Sequence, residues 1–168
     1  MTPQLKNWVN QVRLKYLVPT PSRILEIGSF NVNGKVRDLF GDSDYTGIDL
    51  QPGPDVDIVM NGHDAFIVFG ANSFDLILCL DTLEHDIEPY KTILGMQHMV
   101  KSGGHMIVSV PTSGFPEHRH PKDYWRFMKD TFYDIIFIQD AFLMLDFVEI
   151  QHEGLPGLPG LAAIGRKK

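Results

Sequence analysis

Cysteine is almost missing from this chain: Cys79 is the only one among 168 residues. A lone thiol excludes an intramolecular disulfide and a thiolate metal cluster. Its setting, Phe74-Asp-Leu-Ile-Leu-Cys-Leu80, is that of a buried strand residue. Long apolar runs are missing too. No stretch approaches the roughly 20 apolar residues that cross a bilayer. Lys6, Arg13 and Lys15 interrupt the N-terminus where a signal peptide would need an apolar segment, so a cytoplasmic protein is expected. Positive charge is in deficit, since 15 Lys and Arg against 21 Asp and Glu leave a net charge of −6. That balance argues against a general grip on nucleic-acid phosphates. Hydrophobic residues, at 43%, are as frequent as in ordinary globular chains and exclude global disorder. The length fits one domain, 1–168, with a sizeable core.

Periodicity organises the chain. Leu5, Trp8, Val9, Val12 and Tyr16 recur at helical spacing, which predicts an amphipathic helix over 3–17 within an N-terminal segment 1–18, ended by Pro19 and Pro21. A strand is expected at 23–27, and a helix over about 33–40 with Val36, Leu39 and Phe40 inward. Strands are expected at 45–49 and 56–59, separated by the turn cluster Gln51-Pro-Gly-Pro54. Residues 61–73 read as a connection with one helical turn. The nearly continuous apolar run 74–80 predicts a strand covered on both faces. A helix over 86–100, using Ile87, Ile93, Leu94, Met96 and Met99 for packing, is stopped by Ser102-Gly-Gly104. Strand 105–110 closes at Pro111, and 122–142 is expected to be helical in part. The alternation of 145–152 and the short run 161–165, joined by a Gly/Pro loop at 154–160, predict a final antiparallel pair. The series is βαβ throughout, so the expected fold is a three-layer, doubly wound α/β sheet, Rossmann-like, mostly parallel with a C-terminal antiparallel hairpin strand.

Within it, Arg23-Ile-Leu-Glu-Ile-Gly-Ser-Phe-Asn-Val-Asn-Gly34 carries the most information. A strand runs into Gly28 and a Gly/Asn/Ser turn, and the next strand, Tyr45-Thr-Gly-Ile-Asp49, ends in a carboxylate. A glycine turn followed by an acid on the next strand is how such sheets hold a nucleoside. A P-loop is excluded, because five residues separate Gly28 from Gly34 and Val36 follows Lys35 where a hydroxyl residue is needed. A dinucleotide site is disfavoured, because Phe30 and Asn33 stand where a pyrophosphate needs bare backbone.

Five segments in order resemble the class I S-adenosylmethionine-dependent methyltransferases. They are the Glu26-Ile-Gly28 turn, Tyr45-Thr-Gly-Ile-Asp49-Leu50, Val56 to Asp64, Ser73 through Leu83-Glu-His85, and Val100-Lys-Ser-Gly-Gly through Pro111. The likeness covers roughly residues 23–111, the half that would bind cofactor, leaving 112–168 on the acceptor side. It implies S-adenosylmethionine as cofactor. Glu26, Gly28 and Ser29 would line the turn, and Asp49, with Leu50 beside it, would hold the ribose hydroxyls. Asn61, Gly62 and His63 would sit beside the adenine, and Leu80 and Asp81 near the methionine part. Two positions depart from the family pattern: Phe30, where glycine is usual, and Asn61, where an acid is frequent.

An activated sulfonium methyl needs a placed nucleophile and at most a base. His85, after the fourth strand, is the candidate base, or else a structural histidine bonded to nearby backbone. Glu117 to Phe127 is rich in histidine, cations and aromatics. Tyr124 and Trp125 would form a stacking wall for a polar or sugar-like acceptor, Tyr124 being the second candidate catalytic residue. The alternative is that Trp125 and Phe127 cap the sheet edge while Asp123 and Arg126 make a surface pair. His118 and His120, with His63, His85 or Asp123, carry metal-ligating atoms, but the spacing alone assigns no metal. The Asn/Asp-Pro-Pro-aromatic signature of base-N methylation is replaced by Asp81-Thr-Leu-Glu, so a nucleic-acid acceptor is unlikely on this reading. The expected activity is methyl transfer to a small-molecule or glycan-type acceptor, without a membrane role. With no appended acceptor domain expected, the N-terminal helix, the 111–127 loop, a partner protein or a second copy would complete recognition. The rival reading is a non-catalytic protein of the same fold that binds a nucleoside or serves as an interaction module.

Overall fold

The computed structural model describes residues 2–32, 34–119, 122–151 and 158–168. Seven strands form one sheet in the order β3-β2-β1-β4-β5-β7-β6. They are β1 (Arg23–Ile27), β2 (Asp44–Asp49), β3 (Ile58–Val59), β4 (Phe74–Leu80), β5 (Val100–Pro111), β6 (Phe142–Gln151) and β7 (Pro159–Lys167). β3, β2, β1, β4 and β5 pair in parallel, and β7 enters antiparallel between β5 and β6. The expected fold class holds, with β7 as the one reversed strand.

Both faces of the sheet are covered, which is why its central strands are apolar at consecutive positions. Leu25, Ile27, Ile77 and Cys79 pack on one side with Ala65 of α2 (Ala65–Phe69) and Ile93, Met96 and Met99 of α3 (Pro89–Met99). Ile24, Leu76 and Leu78 pack on the other with Leu5, Trp8, Val9 and Val12 of α1 (Pro3–Tyr16). Burying each of those α1 side chains stabilises the docking of the helix by about 1.5–3 kcal/mol. Tyr16 adds a tie, its hydroxyl donating to the Leu145 carbonyl at 3.0 Å. Among the described residues no helix is long and apolar enough to cross a membrane.

Several boundaries differ from the sequence expectation. The helix expected over 33–40 is only the 3-10 turn Arg37–Leu39, although Val36 and Phe40 are buried as its pattern required; Asn33 lies outside the described residues. The segment is too short to propagate a helix. Arg37 instead reaches across to Asp57 at 2.9 Å and to the Tyr45 carbonyl at 2.8 Å. The helix expected from 86 begins at Pro89, because a residue before proline is pushed out of the α region. Ile87 therefore stands outside the helix and is exposed, and Leu94, within it, is on its outer face rather than packed. The third strand shrinks to two residues. Ser102-Gly-Gly104 lies inside β5, which begins at Val100 and shifts register against β4 after Val100 pairs with Phe74. The partial helix in 122–142 is Lys129–Thr131 continuing into a π-turn, Phe132–Ile136. The last two strands are longer than expected and pair antiparallel as expected. His152 and most of the Gly/Pro loop lie outside the described residues.

Candidate active site

In an open α/β sheet the crevice opens at the carboxyl ends of the strands where the winding reverses. Here that point lies between β1 and β4, neighbours in the sheet but separated in the chain by β2 and β3. The Gly28 turn, Asp49 and the Leu80–Asp81 step all fall on this edge.

Gly28 leaves β1 with φ of +80°, and an ideal Cβ there would lie 2.0 Å from the Thr82 hydroxyl oxygen. The bare α-carbon is thus needed first so that the loops after β1 and β4 can touch. The Gly28 and Ser29 N–H groups both donate to the Ile48 carbonyl, at 2.9 and 3.1 Å, locking the turn onto β2. Ser29 is 5% exposed and its hydroxyl has no hydrogen-bond partner. Asp49 is held by backbone: one carboxylate oxygen accepts from Phe30 N–H and the other from Gln51 N–H, both at 3.2 Å. A carboxylate offers about four acceptor directions, so two remain for vicinal hydroxyls. That is the donor–acceptor fit a ribose requires. Phe30, the departure from the family pattern, contributes its N–H to this arrangement while its ring lies over Gly53, where a Cβ would come within 2.1 Å. Leu50 is 58% exposed beside it.

Glu26 is buried on the α1 side of β1 and accepts from the Tyr45 hydroxyl at 2.7 Å. Burial pushes its pKa up to about 7, against the lowering effect of that hydrogen bond. Burial likewise raises the Tyr45 phenol, with Glu26 adding to it.

Two of the three residues expected beside the adenine are engaged through their side chains. Asn61 caps the turn Gly62–Asp64 by accepting from His63 N–H at 3.0 Å. The His63 ring meets Asp86 at 2.8 Å, and Asp86 also accepts from the Thr92 hydroxyl at 2.6 Å. Gly62 is pressed against Ile27 and Thr92, where a Cβ would approach to 3.1 and 3.2 Å. On the β4 side Leu80 is buried, and Asp81 adopts φ of +48°, a conformation costing a non-glycine residue about 1 kcal/mol or more. The Ser109 hydroxyl holds it there, donating to the Asp81 carboxylate at 2.7 Å.

His85 contacts the Lys122 carbonyl through Nδ1, the backbone bond of the structural alternative, which leaves Nε2 free of it. Tyr124 and Trp125 are 40% and 45% exposed; the first donates its backbone N–H to the Glu84 carbonyl and the second its indole N–H to the Asp86 carbonyl, both at 2.8 Å. Phe127 is buried, so of the two aromatics expected to cap the sheet only one does so. Asp123 and Arg126 are paired, but not at the surface. The Asp123 side chain is 2% exposed and takes both guanidinium nitrogens at 2.6 Å. Arg126 holds the Asp123 carboxyl well below the usual carboxylate range. It also donates to the Phe115 and Pro116 carbonyls, at 3.0 and 2.7 Å, and so fixes the loop.

Sequence reasoning assigned no role to Glu84, Asp86, Thr82 or Ser109. Glu84 is fully buried; burial raises its pKa, and its carboxylate in turn raises that of His118. The signal was present, since Glu84 follows the apolar run of β4 within a few residues and stands beside Leu83 and His85. Its depth was not legible, because it is covered from the 112–127 loop. His120 and Pro121 of that loop lie outside the described residues.

Comparison with known proteins agrees with this geometry. A methyltransferase domain family matches residues 4–142. A ubiquinone biosynthesis O-methyltransferase from Saccharophagus degradans is 32% identical over 75 residues, covering 45% of this chain and 29% of the relative. The match thus spans less than a third of that protein's length. Among solved structures, the 1,6-didemethyltoxoflavin N1-methyltransferase of Burkholderia thailandensis, solved with bound 1,6-didemethyltoxoflavin and S-adenosylhomocysteine, superposes with a TM-score of 0.72. It is 16% identical, and the match covers 99% of this chain and 80% of that one. The N-methyltransferase NodS of Bradyrhizobium japonicum gives 0.71 at 18% identity, covering 98% and 97%. Both share the fold along nearly the whole chain, and the family match spans most of it: this protein belongs to the methyltransferase domain family, and with it to the class I S-adenosylmethionine-dependent methyltransferases.

Proposed function

We propose that this chain transfers the methyl group of S-adenosylmethionine to a small-molecule or glycan-type acceptor in the cytoplasm, with 23–111 holding the cofactor and 112–168 facing the acceptor. The observation that carries the reading is Asp49, tied by two backbone N–H groups at the switch point and left with two acceptor directions. Asp49 would take both ribose hydroxyls, and Ser29, with its unpartnered buried hydroxyl, would supply a further polar contact. Gly28 and Leu50 would flank the ribose, and the Glu26–Tyr45 pair would support the turn from below. Asn61, Gly62 and His63 would shape the adenine side by backbone and van der Waals contact, since the Asn61 and His63 side chains are already committed. Leu80 and Asp81 would present backbone to the methionine part.

S-adenosylmethionine supplies a methyl already activated on a sulfonium, so the protein's task is to orient the acceptor and take its proton. His85 Nε2 would hold that proton, Nδ1 being engaged by the Lys122 carbonyl. Tyr124 and Trp125, both about half exposed, suit the face of a sugar or another flat acceptor. The curated relative acts on oxygen and the structural neighbours named above on nitrogen, and the choice here rests on the acceptor brought to that loop.

The second reading, a fold member without catalysis, draws support from the committed adenine-side side chains. Calorimetry with S-adenosylmethionine and S-adenosylhomocysteine separates the two. Catalysis requires binding that falls on Asp49→Ala and transfer of a tritiated methyl to a component of fractionated cell extract. No heat at millimolar ligand would leave the second reading standing.

A further inference from the structure

Glu84 has no task in the reading above, yet its side chain is wholly buried and neither carboxylate oxygen has a hydrogen-bond partner. An unpaired buried carboxylate costs several kcal/mol, so a cationic partner is to be sought. Two imidazoles converge on it. His85 Nε2 and His118 Nε2 each lie 3.6 Å from Glu84 Oε1, and one ligand atom from each of the three residues falls within 4.8 Å of the others.

The far nitrogens decide what these rings present. His85 Nδ1 faces the Lys122 carbonyl, which can only accept, so the hydrogen resides on Nδ1. His118 Nδ1 lies 3.3 Å from Asp123 Oδ2 without a hydrogen bond to it; that oxygen accepts instead from the His118 backbone N–H at 2.7 Å. The two Nε2 atoms and a carboxylate oxygen then converge on one point. A backbone carbonyl on the far nitrogen is an outer partner that metal-binding histidines use, and His85 has one. Asp123, clamped by Arg126, holds the His118 backbone in place by accepting from its N–H.

We infer that Glu84, His85 and His118 form a binding site for a divalent cation of the zinc class. Tetrahedral zinc, with bonds of about 2.0–2.1 Å, sets neighbouring ligand atoms roughly 3.3 Å apart, so the two 3.6 Å separations need only a small closure. Two nitrogens and one oxygen favour zinc or cobalt over magnesium or calcium. Three protein ligands leave a position open, as in catalytic rather than structural zinc sites. The site stands where the β4 end meets the aromatic loop. A cation there would lower the pKa of an acceptor hydroxyl and would relieve His85 of the role of base.

The test uses the full chain, stripped with chelator and titrated with Zn²⁺ by calorimetry and with Co²⁺ by visible absorption, without S-adenosylmethionine. The expected result is one equivalent bound with a Kd of about 1 μM or tighter, and a cobalt spectrum of low coordination number. Glu84→Gln and His118→Ala are expected to weaken binding on the order of 100-fold, while His98→Ala leaves it unchanged. The His118 side chain is 36% exposed, so its variant is expected to fold even where a Glu84 variant does not. Zinc should then raise the melting temperature of the wild type and not that of His118→Ala. No binding at roughly 100 μM Zn²⁺ overturns the site, and binding and stabilisation that survive His118→Ala overturn it by placing the metal elsewhere. Because the readout is metal binding, its failure leaves methyl transfer untouched, and failure of methyl transfer leaves it intact.

Discussion

The two sides of the crevice are built from different materials. At the ends of β1 and β2 the backbone does the positioning: Gly28 and Ser29 are tied to the Ile48 carbonyl, and Asp49 is tied to Phe30 and Gln51 N–H. At the end of β4 side chains do it: Ser109 holds Asp81, Asp86 joins His63 to Thr92, and Arg126 clamps Asp123 under His118. A backbone-built site is common to any chain that winds this way and suits a ligand that does not vary. A side-chain-built region can be altered without disturbing the sheet, and under the proposed function its outer part, the 112–127 loop, is the part that would meet the acceptor.

Substitutions sharpen that contrast, and the largest effect is expected at Gly28. Gly28→Ala adds a Cβ 2.0 Å from Thr82 Oγ1 and strains φ at +80°. A loss of about 3–4 kcal/mol of stability in denaturant titrations is expected, together with loss of S-adenosylhomocysteine binding. Adding Thr82→Ala should restore only the steric part; full restoration would mean that the backbone angle is not a constraint. Next comes Asp49→Ala. Removing two charge-assisted acceptors should weaken S-adenosylhomocysteine by about 2–3 kcal/mol in calorimetry. Its melting temperature should change far less than that of Gly28→Ala, and an equal fall in both would erase the distinction between ligand grip and scaffold.

Glu26 tests the support beneath the turn through pH. Its folded pKa of about 7 lies above the ordinary 4.5, so between those values the native state holds a proton that the unfolded chain has released. Stability from this group is complete below about pH 4.5 and declines as pH rises through 7, by up to roughly 3 kcal/mol. Glu26→Gln should flatten that decline in urea melts at pH 5 and pH 8; an unchanged slope would place the titration elsewhere. The smallest effect is expected on the other side. Trp125→Ala, at a half-exposed ring, should raise acceptor KM by about 1 kcal/mol in effect while leaving S-adenosylhomocysteine affinity within twofold. Equal losses for both ligands would show the two sides to be one unit.

The parts of this molecule legible in its sequence are those governed by local pattern. β1 and β4 fall on the expected residues, 23–27 and 74–80, because a strand covered on both faces must be apolar at successive positions. The Gly28 turn and the Asp49 strand end were equally plain. Most of what failed did so where neighbours in space intervene; Ile87 is the exception, decided by a proline two residues on. Val36 and Phe40 were rightly marked as buried, yet Arg37 reaches Asp57 and the helix expected around it is a single turn. Ile87 had a helical pattern but stands before the proline that starts α3. Asp123 and Arg126 read as a surface pair from their spacing, and only the folded loop shows the carboxylate to be buried.

The sequence by itself determined which segments become strands, the glycine turn, the acid at the end of β2 and the family resemblance, because hydrophobic period and turn chemistry act between residues close in the chain. Only the tertiary structure decided what Glu84 is. Whether a carboxylate is solvated, paired or poised for a cation depends on what covers it. Its cover, His118 and the Asp123–Arg126 clamp, comes from a loop beyond β5 that meets the end of β4 only when the sheet is complete.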